Sequence, residues 1–236
     1  ALSSKFIIVS REVTHESPIL LTPFLSGNII DIQALSEFIT KSYERAGLTP
    51  DKVDTGAVII TGDAARKDNA EAIAEMFSQQ AGKFVCATAG PNLEAQMAVN
   101  GSGTVDKTGE GNGGSETGMN VDVGGGTSKL AIANRGAIVD TSAMNVGARL
   151  VVYDEHSCVI KIEDAGRIVS EDLGLNLKIG QVINQETKQK ISRRLANSLV
   201  NVMSRTTLTP LTQKLMVTSG LTYPGKVDFI TFSGGV

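Results

Sequence analysis

Asp122-Val123-Gly124-Gly125-Gly126-Thr127 is the stretch on which the fold turns. It separates residues 120–123 from residues 129–133, two short apolar runs that read as strands. A phosphate chain is anionic and crowded with acceptors. Backbone amides surround it only where no Cβ blocks the approach. Three successive glycines permit that, and Thr127 and Ser128 add hydroxyl donors. Asp122, at the strand end, is suited to hold water on a Mg²⁺ that bridges phosphates. The plain alternative is a hairpin whose glycines serve geometry alone, although a two-residue turn suffices for that.

The texture around this stretch is that of a meander. Asn134-Arg135-Gly136 links residues 129–133 to a third run at 137–141, so three antiparallel strands are expected in succession. Residues 145–153 and 159–162 are expected to extend that sheet. Helices are expected near 165–173 and over 192–205, the latter starting near Gln185. A last strand is expected at 227–232. It runs into Ser233-Gly234-Gly235, a glycine pair that lets a base or ribose lie directly on backbone. Asn145-Val146-Gly147-Ala148 reads either as a side approach to phosphate, with Gly147 at the contact, or as a plain turn.

Towards the N-terminus the pattern is alternating α/β. Residues 6–9 read as a strand, with the apolar Ser17-Pro18-Ile19-Leu20-Leu21 following. Asp31 caps a helical pattern whose apolar face holds Ile32, Leu35, Phe38 and Ile39, and Gly47 suits its stop. Residues 56–60 form a buried strand opening into Thr61-Gly62-Asp63. A helix at 69–80 and a strand at 83–87 follow. Pro91 fits the first turn of a helix over 92–99. Residues 101–118 lack apolar periodicity and read as a flexible loop, which places a domain boundary between 1–118 and 119–236.

Composition narrows the function classes. With 22 Lys plus Arg against 25 Asp plus Glu, the formal charge is −3 and no long basic run appears, which disfavours nucleic acid and anionic membranes as partners. No apolar run reaches the ~20 residues of a membrane helix. Cys86 and Cys158 lie far apart in apolar stretches and read as reduced, buried thiols. The N-terminus lacks a signal-peptide layout. Both ends read as cuts through a longer protein.

Four further groups stay open on residue chemistry. Glu94 suits either a water-orienting role at a nucleotide site or a solvated first turn of a helix. Asp63 ends a buried strand, where α/β ligand sites concentrate, or is a turn residue. The Lys-Arg face at 188–194 is a solvated helix face or a dock for an acidic partner. His15 and His156 lie in polar stretches and read as surface residues.

These residues resemble a known superfamily. Asp122 to Thr127 is similar to the second phosphate loop of actin, hexokinase and heat-shock chaperone ATPases. Residues 90–98 resemble the connecting helix before it, and residues 231–236 the adenosine motif. Several longer runs are more specific. Ser17-Pro18-Ile19-Leu20-Leu21-Thr22-Pro23, residues 54–62, residues 65–70, Ala87-Thr88-Ala89-Gly90-Pro91-Asn92-Leu93-Glu94 and Phe232-Ser233-Gly234-Gly235-Val236 resemble the ethanolamine ammonia-lyase reactivating factors.

That resemblance implies an actin-like (ribonuclease H-like) α/β fold with mixed sheets and flanking helices, two incomplete subdomains, and a cytoplasmic protein of ethanolamine utilisation, with association to a bacterial microcompartment as an option. It implies an ATP-dependent, chaperone-like factor that acts on ethanolamine ammonia-lyase and releases damaged cobalamin; oligomeric state, homo-oligomer included, stays open. Carried over, Asp122 serves Mg²⁺, Gly124, Gly125, Gly126, Thr127 and Ser128 the phosphates of ATP, and Gly234 and Gly235 the adenosine; Glu94 and Asp122 are the catalytic candidates. Two departures stand out. The superfamily's first phosphate loop is expected ahead of Ala1, and Ala148 stands where a second glycine beside Gly147 is expected. The resemblance then implies weak nucleotide binding and no hydrolysis by this stretch alone, with a weak ATPase as an option for the full-length protein. A small-molecule kinase, with Asp63 as base, and a non-hydrolysing scaffold are the alternatives within the superfamily.

Overall fold

The computed structural model describes residues 10, 12–20, 22–23, 25, 29–60, 69, 72–73, 75–77, 84–109 and 116–234. The expected strand at 6–9, together with Asp63 and Gly235, lies outside them. The chain divides into two compact units, Ala1–Thr88 and Ala89–Val236.

In the first unit, helix α1 spans Ile32–Ala46. The Asp31 carboxylate accepts from the Ala34 amide at 3.0 Å, and Gly47 ends the helix in the left-handed region at φ 65°. A single 3₁₀ turn, Pro50–Lys52, leads to strand β1, Gly56–Ile60, which pairs in parallel with β2, Phe84–Thr88. A parallel pair needs a crossover, and residues 72, 73 and 75–77 between the strands are helical. Ile30, Ile60 and Ile73 form the buried centre. The Asn69 side chain mimics a strand partner: it accepts from the Ile30 amide at 2.8 Å and donates to the Ile30 carbonyl at 2.9 Å. The apolar run at 17–21 does not form a strand over its described residues. Pro18 has no amide to donate, and Ile19 stands 84% exposed.

The second unit opens with helix α2, Pro91–Gly101, and a short helix α3, Thr104–Lys107. Then come β3 (Thr117–Val123), β4 (Ser128–Asn134) and β5 (Ala137–Met144), followed by β6 (Val151–Tyr153), β7 (Val159–Ile162), α4 (Asp164–Asp172), α5 (Gln185–Met203), α6 (Pro210–Leu215) and β8 (Phe229–Ser233). The main sheet has the order β5-β4-β3-β8. The first three are the expected antiparallel meander, and β8 returns beside β3 in parallel.

Alternation gives the sheet two unlike faces. Met119, Val121, Leu130, Ile132 and Met144 point into the main core, against α4, α5 and α6. The opposite face carries Asn120, Asp122, Lys129, Ala131 and Ala133. Ala131 and Ala133 pack on Ala95 and Val99 of α2. Small residues on both sides let that helix lie close to the strands.

Three expectations change here. The break between units falls after Thr88 and not at 118, because α2 buries its apolar stripe on the meander. The stretch read as a loop at 101–118 contains α3 and the start of β3. Gly103, at φ 72°, turns the chain into α3, and Thr104 is fully buried. Residues 145–153 do not extend the main sheet. They leave it at Asn145, whose amide donates to the Leu215 carbonyl at 2.7 Å, and β6 pairs with β7 in a separate two-stranded sheet.

Candidate phosphate-binding site

Strands β3 and β8 lie side by side with Asp122 in register with Ser233. The two glycine motifs, far apart in sequence, therefore end at neighbouring positions on one sheet edge. The Ser233 hydroxyl donates to Asp122 Oδ1 at 2.8 Å and lies 3.3 Å from Asn120 Oδ1. Asn120, 1% exposed, donates to Thr231 Oγ1 at 3.1 Å. Thr231 in turn meets the Thr104 hydroxyl at 2.5 Å, which meets Ser102 at 2.7 Å. A part-buried ribbon of hydrogen bonds thus ties α3, β3 and β8 together and holds the Asp122 carboxylate.

Gly234 follows at φ 117°, and a Cβ there would collide with the Val123 backbone. Only glycine fits this close approach of the β8 turn to the end of β3. The adenosine-type motif and the phosphate-type motif are therefore in direct contact.

The hairpin loop is held by its carbonyls. Gly124 donates to Thr127 O at 2.9 Å, and the Gly124 and Gly125 carbonyls accept from the Ala148 and Arg149 amides at 3.1 and 2.7 Å. Gly147 passes so near that a Cβ would overlap the Gly124 and Gly125 carbonyls. Residues 145–149 thus form the floor of the loop. The absence of a second glycine at 148 costs little, since Ala148 is exposed while Gly147 makes the tight contact. Among the described residues, the Gly125, Gly126 and Thr127 amides find no acceptor. Three donors on one loop suit an anion.

Ser128 is used differently from the sequence expectation. It is fully buried, lies on the core face beside Leu130, and donates to the Val146 carbonyl at 2.7 Å. Its hydroxyl secures the loop's floor and does not point to its open side. Glu94 is not a solvated helix-turn residue. It sits 9% exposed on α2, with Oε2 2.6 Å from the Lys129 ammonium. Sequence reading missed Lys129, which stands opposite Asp122 in the β3–β4 register. It also missed Arg149, whose stem lies beside Gly125.

The site residues suit a magnesium-bound phosphate in a limited way. Among the described residues, no group of three or more His, Cys, Asp or Glu side chains converges. One carboxylate, Asp122, is what a Mg²⁺ held mainly by water and phosphate oxygens requires. His15 and His156 are exposed. Neither Cys86 nor Cys158 forms a disulfide, and both are half-buried. No helix of the described residues is long and apolar enough to cross a membrane.

A three-stranded meander, a returning parallel strand, a glycine hairpin after the first strand of the meander and a glycine turn after the returning strand define an α/β protein of actin-like fold. Residues 3–236 match the ethanolamine utilisation protein EutA family, and the chain belongs to it. It is 35% identical over 237 aligned residues to the ethanolamine ammonia-lyase reactivase EutA of Escherichia coli K12, covering 98% of this chain and 49% of that protein. It is 32% identical to the protein of the same name from Salmonella typhimurium LT2, with the same coverage. The chain thus spans about half the length of these relatives. Among solved structures it is similar to ADP-bound MreB5 of Spiroplasma citri, with a TM-score of 0.43, 17% identity, and 91% of this chain and 67% of that one covered.

Proposed function

We propose that this chain supplies part of the nucleotide site of an ATP-dependent, chaperone-like factor that reactivates ethanolamine ammonia-lyase. The enzyme would be its partner, and release of damaged cobalamin its outcome, in the cytoplasm of an ethanolamine-utilising bacterium. Family membership and the two relatives' names support the lyase as partner and reactivation as the role. The observation that carries the nucleotide reading is the joining of two glycine motifs at one sheet edge, with Asp122 between them.

The residues divide the work. The open amides of Gly125, Gly126 and Thr127 would bind phosphate oxygens. Asp122 would orient the water shell of a Mg²⁺, which supplies charge neutralisation between phosphates when bound. The Ser233 hydroxyl already holds one oxygen of that carboxylate and fixes its direction. Gly234 would offer bare backbone to the adenosine, with Gly235 beside it in sequence. Gly147 keeps the floor of the loop low. Work on the lyase would then be conformational, so nucleotide must bind two arrangements of the factor unequally.

Calorimetric titration of Mg-ATP into this chain and into Asp122→Ala tests the site. Binding by the first and at least tenfold weaker binding by the second is expected, a loss in keeping with removal of a charged hydrogen-bond acceptor. Equal binding by both would remove Asp122 from the site. The partner is tested on the full-length protein with Mg-ATP: failure to restore an inactivated lyase would sink the reactivase reading.

A further inference from the structure

The Lys129–Glu94 pair joins β4 to α2 on the polar face of the main sheet. Both side chains are buried, with 10% and 9% of their surface exposed, and they meet at 2.6 Å. An ammonium carries three donors. Among the described residues only Glu94 takes one from Lys129, so a nine-tenths buried cation keeps unspent hydrogen-bonding capacity. Its direction is informative. A Cβ built on Gly124 would lie 3.9 Å from the Lys129 Nζ, so the charge sits directly beneath the phosphate-type loop. Asp122 stands opposite Lys129 on the same face but takes its hydrogen bond from Ser233.

Charge balance gives this placement a consequence. Two carboxylates, Asp122 and Glu94, share the face with a single buried cation. Any phosphate chain entering there adds negative charge to a low-dielectric spot that already holds two. Lys129 is the group positioned to offset it, and it is held by Glu94. Lysine acts as a mobile point charge on a flexible stem, so a change of partner needs rotation of the stem and no movement of the strand.

We propose that Lys129 is a phosphate ligand held in reserve: when phosphate enters the loop, the ammonium exchanges Glu94 for phosphate oxygen and releases the Glu94 carboxylate towards the site. Glu94 then becomes available to orient a water molecule only when phosphate is present. This deepens the nucleotide reading and rests on it. Lys129 is a binding residue in this scheme, and Glu94 is its competitor.

The competition predicts opposite signs for the two halves of one ion pair. Mg-ATP affinity is measured by calorimetry for the wild-type chain, Lys129→Met, Glu94→Gln and the double variant. Lys129→Met should bind about tenfold more weakly, the loss of one charge-assisted hydrogen bond. Glu94→Gln should bind more tightly, by up to about tenfold, because the ammonium no longer has to leave a charged partner. In the double variant the gain should vanish and affinity should match Lys129→Met. Adenosine, which carries no phosphate, should bind all four chains alike.

A gain from Glu94→Gln that persists in full without Lys129 would overturn the exchange, since simple repulsion between Glu94 and phosphate would explain it. So would unchanged affinity in Lys129→Met, or weaker binding by Glu94→Gln. Lys129→Met leaves a buried carboxylate alone and is the variant most at risk of misfolding. Glu94→Gln keeps an amide oxygen that accepts from the Lys129 ammonium, and the double variant buries no charge at this pair, so their comparison decides the matter without Lys129→Met. The same four versions are titrated in the full-length protein, and absence of Mg-ATP binding in all of them, Glu94→Gln included, would overturn the nucleotide reading and the exchange with it.

Discussion

The two faces of the β5-β4-β3-β8 sheet use the same backbone for opposite ends. On one face Met119, Val121, Leu130, Ile132 and Met144 are at most 1% exposed and meet three helices. On the other, residues one position along the same strands are Asn120, Asp122 and Lys129, tied to β8, α2 and α3 by hydrogen bonds and one ion pair. Burial of polar groups adds little stability even when every bond is made. The oily face therefore holds the unit together, and the polar face is free to be shaped by what it binds. A strand whose alternation places Asn and Asp on a buried side departs from the pattern that stability alone would favour, and such departures tend to mark function.

That contrast is most easily broken on the oily face. Ile132→Ala should cost about 4 kcal/mol of unfolding free energy, the usual toll of a large cavity in a rigid core. Mg-ATP affinity of the fraction that stays folded should be unchanged. Denaturant melts paired with calorimetry read both quantities, and a selective loss of affinity at unchanged stability would reverse the assignment of the faces. A smaller effect is expected on the polar side. Ser233→Ala should cost about 1 kcal/mol, the net worth of one hydrogen bond, yet weaken Mg-ATP by freeing the Asp122 carboxylate. A stability loss as large as that of Ile132→Ala would show that the polar ribbon is structural after all.

The mildest test lies at the far end of β3. The Asp228 carboxylate accepts from the Thr117 amide at 2.9 Å and from Lys226, and the amide bond foremost holds its pKa below the ordinary 3.8. A depressed carboxylate pKa contributes stability that is complete above 3.8 and is lost as pH falls through the lower folded value. Asp228→Asn should therefore show its full deficit above pH 3.8 and narrow it as pH falls from 3.8 through the lower folded value. A deficit that stays constant in acid melts would mean that the charge is irrelevant there.

The residues that could be read ahead were those whose chemistry is local. Gly124, Gly125 and Gly126 between two apolar runs announce a hairpin, and Asp31 and Gly47 bracket a helix by caps that need no tertiary partner. The return of β8 beside β3 was not read from the sequence, since parallel pairing leaves no local trace. Lys129 and Glu94 lie on different elements, and neither is unusual where it stands, so nothing short of the folded sheet reveals their pairing. Residues 151–153 misled because a short apolar run says it is buried without saying against what. Helices α3 and α6, of 4 and 6 residues, are shorter than the length at which periodicity becomes readable. Ser128 was assigned by proximity to the glycines, and alternation places it on the wrong face for that work.

The Ser233–Asp122 bond joins positions 111 residues apart. Closing so long a span is costly in chain entropy and slow, whereas the meander joins near neighbours. The expected order of events during synthesis is that β3, β4 and β5 assemble while α4, α5 and β8 are still to come. Until β8 arrives, Asp122 and Asn120 form the bare rim of an unfinished sheet. The loop thus precedes its own completion, and pulse-labelling by hydrogen exchange should find amides of 117–144 protected before those of 229–233. Strand β8, made well after the meander, would then act as the latch of the site, and a nascent chain that lacked it would carry the glycine loop without a fixed carboxylate beside it.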